Sequence, residues 1–442
     1  MRPVGRVINT RRSSPGRVHG GSRRTLLAAS LSTFIVWSSV SCARSPERVT
    51  AGRCNQATAN PVVTLDLPGR PFQAVPSADG CFVFVSLAGP VEPGDPRRPP
   101  EPGAAKGGVA LVSREEGSPS LRSVTPLEGS PYGMALTHDG RLLVVAGDDR
   151  MAFVDTARLV TSPNDAVVGY LDDAPLAGRI YASITRDDHW LFVSDESSRS
   201  ISVVNLEKAR TSGFDNSSVV GQIPVGRAPI ALTFSSDDQL LYTTSQEAPP
   251  TSGWPPMCRP PGSEVARQGA SFPEGAIIVI DVARATHDPI NSVLAMIPAG
   301  CNPVRLITSP SGDVAYVSAR TDNVVLAFDT RRLLSDPAHA RIDRIPVGDG
   351  PVGLALLDDG SRLVVTNSNR YGNSDAPQSL TVIDTTKMGA GANAVLGTVP
   401  VGVFPRELSV TSDQRTLLLT NFGSKTLAIM DAARLPLKAR SR

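Results

Sequence analysis

The chain is poor in the residues that most chemistry needs. Of 442 residues only five are histidine, and aromatic side chains make up 5%. It has no HExxH, no CxxCH and no GxSxG, so a zincin site, a covalent haem and a hydrolase elbow have no sequence support. Too few histidines also argues against a copper centre built on many imidazoles. Charge of one sign is scarce as well. The formal balance is +2, and residues 1–41 carry seven arginines and no acid, so the remainder is near −5. That leaves no basic stripe for nucleic acid. The one apolar run, 26–40, follows the arginines and is short for a membrane helix, which predicts an export signal. What is plentiful is Gly and Pro, 38 of each, in a chain long enough for a large core.

The N-terminal segment carries two further signals. Ser22–Leu27, SRRTLL, resembles a twin-arginine export signal. SVSC, ending at Cys42, resembles a lipobox, which makes Cys42 a candidate lipidation site. We therefore expect an export signal over 1–41, a linker over 42–59, one folded domain over 60–434 and a tail over 435–442.

The folded part repeats itself. IPVGRAPIALTFSSDDQLLYTTS (223–245), IPVGDGPVGLALLDDGSRLVVT (345–366) and VPVGVFPRELSVTSDQRTLLLT (399–420) are three copies of one pattern. Further copies begin at 70, 130, 179 and 302, making seven. Each has an apolar strand after a Pro turn, a polar Ser-Asp-Gly turn, a second strand and, after a loop, a third ending in Asp, as in AIIVID at 276–281. Alternating apolar and β-branched residues between Gly, Pro and Asp turns mark strands and hairpins. Seven units of 40–50 residues predict an all-β, seven-bladed propeller. NPVVTLDLPG (60–69) stands before the first copy, and the last copy lacks an outer strand. We expect the first to complete the last, because an open ring leaves unpaired backbone groups.

PVGRAPIAL at 224–232, the SxDG turns, LVVTN at 363–367 and LTVID at 380–384 resemble the YVTN-type β-propeller repeat family across residues 60–434. Two copies depart from it: Arg179 replaces the turn proline in the third, and Ser113 the closing Asp in the first.

Four cysteines besides Cys42 permit three pairings. Placed on seven blades, Cys258 and Cys301 fall on one face in neighbouring blades. Cys54 and Cys81 fall on the other. The expected bonds are Cys54–Cys81 and Cys258–Cys301, as an exported protein permits.

Three long insertions, 88–107, 246–275 and 368–379, all join middle strands and so decorate one face. Decoration of one face of a rigid scaffold marks a binding surface. Residues just past the Pro turns would ring the channel mouth there: Phe72, Gln73, Tyr132, Tyr181, Arg305, Arg406 and Glu407. Trp254, in the longest insertion, would lean over it. Phe72 and Tyr132 could also serve simply as a plug. Arg305 with Glu407 is a cross-ring acid-and-base pair that could hold an anion or polarise a lactone carbonyl, or be a structural ion pair. His138, His189, His287 and His339 map to the opposite face, and the turn aspartates bond to their own turns.

The sequence thus predicts an exported, monomeric binding or docking platform without catalysis, metal or cofactor. Its partner would be an envelope protein or small molecule. Nucleic acid is not expected, and membrane contact only through Cys42. The alternatives are a lactonase-like or quinone-dependent dehydrogenase-type propeller, and a structural envelope protein.

Overall fold

The computed structural model describes residues 54, 60–89, 107–114, 118–148, 150–172, 178–259, 271–372 and 377–436. The SRRTLL segment, Cys42, most of the predicted linker and tail, and parts of all three insertions lie outside the described residues.

Seven four-stranded antiparallel sheets follow one another along the chain. Blade one is Arg70–Pro76, Phe82–Ala88, Gly108–Ser113 and Ser120–Pro126, hydrogen-bonded in that order. Blades two to six repeat it. Blade seven takes Pro405–Val410, Thr416–Asn421 and Thr426–Asp431 from the end of the chain, and its outer strand, Val62–Asp66, from the beginning. Val62 faces Met430 and Asp66 faces Thr426. The protein is a seven-bladed β-propeller, closed by the strand that precedes the first copy.

The third strands show why this sequence needs a ring. Ala276–Asp281 is apolar at almost every position, and Ala276–Ile280 are fully buried. Successive side chains point to opposite faces. Ile277 and Val279 enter the cluster shared with blade five; Ala276, Ile278 and Ile280 enter the one shared with blade three. A lone blade would expose both faces to water. Seven such clusters fill the seven inter-blade seams. Each buried Ile, Leu or Val in them contributes about 1.5–3 kcal/mol. Outer strands see one neighbour only, and Ser120–Pro126 is largely exposed.

The polar punctuation has local duties. In the turns joining first to second strands, Ser77 Oγ donates to Asp79 and Asp79 accepts from the Cys81 N–H at 3.0 Å. Thr137 with Asp139, Thr185 with Asp187, Ser235 with Asp237 and Thr411 with Asp413 repeat the device. The residue closing the third strand caps the short helix after it. Asp155, Asn205, Asp281, Asp384 and Asp431 each accept from a helix N–H, which satisfies an otherwise orphaned donor.

Both disulfides form as expected. Cys54–Cys81 spans 4.8 Å between Cα atoms and joins the chain before the closing strand to a turn of blade one. Cys258–Cys301, at 5.5 Å, joins the 246–275 insertion to the turn leading into blade five. Disulfides are the covalent signature of an oxidising, exported location. Among the described residues no helix is long and apolar enough to cross a membrane.

Candidate functional site

The channel is lined by the seven first strands, and each breaks register near its start. In blade one the shift falls between Pro71 and Ala74, in blade five between Pro303 and Leu306, and in blade seven between Pro405 and Leu408. A bulge of this kind bends the strand and re-aims its side chains. Here it divides two adjacent residues into separate layers of the channel.

The upper layer is the floor of the mouth. It consists of Phe72 and Tyr132 from blades one and two, Ile180, Ile230, Val304 and Val352 from blades three to six, and Arg406 from blade seven. The aliphatic members pack with Phe72 as one apolar cluster. Hydroxyls fix this ring in place. Ser194, Thr244, Ser318, Thr366 and Thr420, one per blade on the second strand, each donate to the carbonyl of the floor residue in the next blade, at 2.8–3.3 Å. Ser86 does the same toward Tyr132. Only blade two, with Ala146 at this position, lacks the rung. A Ser or Thr at this position in six of the seven copies was a visible sequence signal for it.

The lower layer is polar and closed. Gln73 Nε2 donates to the Tyr181 hydroxyl at 3.3 Å, and Gln73 Oε1 accepts from the Met134 N–H at 2.6 Å. The Arg305 guanidinium lies 4.6 Å from the Tyr181 ring centre. Arg305 then pairs with Glu407 across the channel, with Nε 3.0 Å from one carboxylate oxygen and Nη2 on the other. Both side chains are about 95% buried. The desolvated Tyr181 phenol, with Glu407 near, is pushed up to about 12. Blades one, three, five and seven thus supply one residue each to a plug. The Arg305–Glu407 contact foreseen from sequence is made, but both carboxylate oxygens are engaged and neither partner is free for acid–base work.

Above the floor lies a cavity of about 480 Å³. Its walls are residues at or just past the ends of the second strands: Asp148 and Glu196 from blades two and three, Gln246 and Arg320 from four and five, and Arg370 and Phe422 from six and seven, with Phe404. The long insertions leave from these same strand ends. Arg406 lies 3.8 Å over the Phe72 ring and within 5.6 Å of the Phe404 and Phe422 rings. Burial, against the nearby Glu407 charge, pulls Arg406 down to about 9. Burial likewise pulls Arg320 down to about 10. Tyr132 donates to Asp148 at 3.1 Å; burial and that carboxylate push its phenol upward.

A second cavity, about 420 Å³, opens at the other end among the Ser-Asp turns. Its polar groups satisfy one another. Asp188 accepts from the His138 backbone and lies 2.9 Å from its Nδ1, Asp238 accepts from the Arg186 N–H, and Arg186 Nη2 donates to the Ser236 carbonyl. Among the described residues no cluster of His, Cys, Asp or Glu could hold a metal ion.

Of the eight residues singled out from sequence, Phe72, Tyr132 and Arg406 line the mouth. Gln73, Tyr181, Arg305 and Glu407 form the plug beneath. Trp254 does not line the cavity; it packs on the apolar seam between blades three and four. Sequence reasoning missed Asp148, Glu196, Arg320, Arg370 and Phe422. All sit one to three residues past a second strand, where the repeat ends and the copies differ.

The fold and mouth define a β-propeller with a ligand-sized cavity at one end of a plugged channel. No protein-family profile and no curated protein matches the chain. Solved structures do. Hydrazine synthase from Kuenenia stuttgartiensis is 16% identical, with 84% of this chain and 97% of that one covered, at a TM-score of 0.59. A chain of the mitotic checkpoint complex is 13% identical, with 87% and 99% covered, at 0.58. At these identities the likeness is one of fold.

Proposed function

We propose that this is an exported binding platform of the YVTN-repeat type, anchored through Cys42, that holds its ligand or partner at the channel mouth. One observation carries the reading. A cavity of about 480 Å³, in the usual range for small-molecule sites, opens on the face where all three long insertions emerge. A plugged channel with a fixed floor is a rigid seat, and a rigid seat costs little to organise when something binds. Fold alone does not set function, so the support is the asymmetry between the two ends. The polar groups around the far cavity bond to one another, while at the mouth the Nε groups of Arg320 and Arg406 are buried without hydrogen-bond partners. The acid–base alternative loses its candidate pair, since Arg305 and Glu407 consume each other.

The test is affinity capture from native envelope extract, with proteins and small molecules identified by mass spectrometry. The wild-type protein is compared with Phe72→Ala and with a version shortened within 246–275. The reading expects a specific species retained by wild type and lost from the altered mouth. Identical captures from all three would sink it.

A further inference from the structure

We propose that the mouth binds a small organic acid, its oxyanion head held by Arg406, Arg320 and Arg370 and its hydrogen-bond-donating end facing Asp148 and Glu196. The inference rests on the binding-platform reading and names the ligand class for that site.

The first argument is positional. Six of the seven floor positions are aliphatic or aromatic, and only blade seven places a cation there. A floor serving as a hydrophobic stopper would have no use for Arg406. The second argument is hydrogen bonding. Among the described residues the Arg406 side chain has no hydrogen-bond partner, and its Nε is buried. Arg320 is 6% exposed; its Nη2 reaches Gln246, and its Nε is also buried and unpartnered. Among the described residues neither these two nor the exposed Arg370 forms a salt bridge. Their neighbours are rings instead: Arg320 lies 5.4 Å and Arg370 6.0 Å from the Tyr371 centre. Aromatic faces hold a guanidinium in place but do not neutralise it. Desolvating a cation that has no ion-pair partner is costly, and a ligand oxyanion in the cavity would supply that partner. Arginine's planar fork matches carboxylate and phosphate oxygens.

The third argument is polarity. The basic wall comes from blades five to seven and the acidic wall from blades two and three, on opposite sides of the ring. Asp148 already accepts from Tyr132, and Glu196 extends the negative side. The two walls fit a ligand with an anionic head and a donor at its far end, over an apolar floor that fits a short carbon body. The cavity volume limits this to a small molecule or a single acidic side chain of a larger one.

The experiment follows melting temperature and calorimetric heat with 4-hydroxybutyrate, 4-hydroxybenzoate and inorganic phosphate, against sodium chloride at equal ionic strength. 4-Hydroxybutyramide and 4-hydroxybenzamide are the uncharged controls. At least one of the two organic acids is expected to raise the melting temperature and bind, and the amides are not. Arg406→Met and Arg320→Met are each expected to weaken that binding tenfold or more, with the unliganded melting temperature unchanged or higher. Arg406→Lys keeps the charge without the fork and is expected to fall between. The proposal is overturned if neither acid binds, if phosphate alone binds, or if the methionine variants bind as wild type does. It is also overturned if both methionine variants and Arg406→Lys lower the unliganded melting temperature sharply, because the cations are then structural. Loss of acid binding alongside mouth-dependent capture from extract would remove this inference and leave the platform reading standing.

Discussion

At the residue scale, the plug and the mouth differ in how charge is answered. Arg305 and Glu407 are buried together and bond through both carboxylate oxygens. Arg406, one position before Glu407, feels that carboxylate only at a distance and makes its close contacts with aromatic rings. The consequence is measurable. Glu407→Gln leaves Arg305 buried without a counter-charge and is expected to cost about 3–5 kcal/mol. Replacing both partners, Arg305→Met with Glu407→Leu, is expected to cost far less, since an apolar pair of similar volume needs no desolvation. Urea unfolding of the single and double variants decides it. Equal losses in both would mean that the pair holds the blades by its own attraction.

At the element scale, the turns and third strands carry the repeat. Ser235 and the Gln239 N–H hold the Asp237 carboxyl below its usual range. At Asp139 and Asp187 burial works upward, and hydrogen bonds from Thr137 and Arg141, and from Thr185 and His189, outweigh it. A carboxylate depressed in the folded state stabilises above its unfolded pKa, about 3.9 for Asp, and that stability is lost as pH falls through the folded value. The urea midpoint is therefore expected to hold from pH 6 to about 4.5 and to drop steeply below 4. Asp237→Asn is expected to flatten part of that drop. The third strand of blade four starts beside a tight approach. A Cβ on Gly275 would stand 2.2 Å from Pro303 Cδ and 2.4 Å from the Ser245 carbonyl oxygen. Gly275→Ala is expected to cost about 1–3 kcal/mol. It should also weaken ligand binding, because Pro303 leads directly into Val304 of the floor. Thermal unfolding and the calorimetric titration check the two effects separately.

At the scale of the whole molecule, the ring is sealed at one blade, where Val62–Asp66 pairs with Thr426–Asp431. Cys54–Cys81 pins the chain just before that strand. Replacing both cysteines by serine removes a constraint across 27 residues, and the chain-entropy estimate puts the loss at about 3–4 kcal/mol. Hydrogen exchange should then rise first along Val62–Asp66 and its partner strand. Uniform exchange across all blades would show that the seam is no weaker than the rest.

Much of this was legible in the chain. Seven copies of a strand–turn–strand pattern dictate seven blades, because sheets buried on both faces must stack and the chain ends must pair. The Ser-Asp turns and both disulfides follow from local chemistry and the order of the loops. The sequence also brought Arg305 to Glu407, since equivalent positions in a ring face one axis. Only the tertiary structure decided which of the neighbours Phe72 and Gln73, or Arg406 and Glu407, faces the mouth. A bulge in each first strand separates them, and register slips of that kind leave no mark in a period-two pattern. The walls of the mouth were hidden for a related reason. Asp148, Glu196, Arg320 and Arg370 lie where the copies stop agreeing, and nothing in their sequence surroundings says that loops from six blades converge on one cavity.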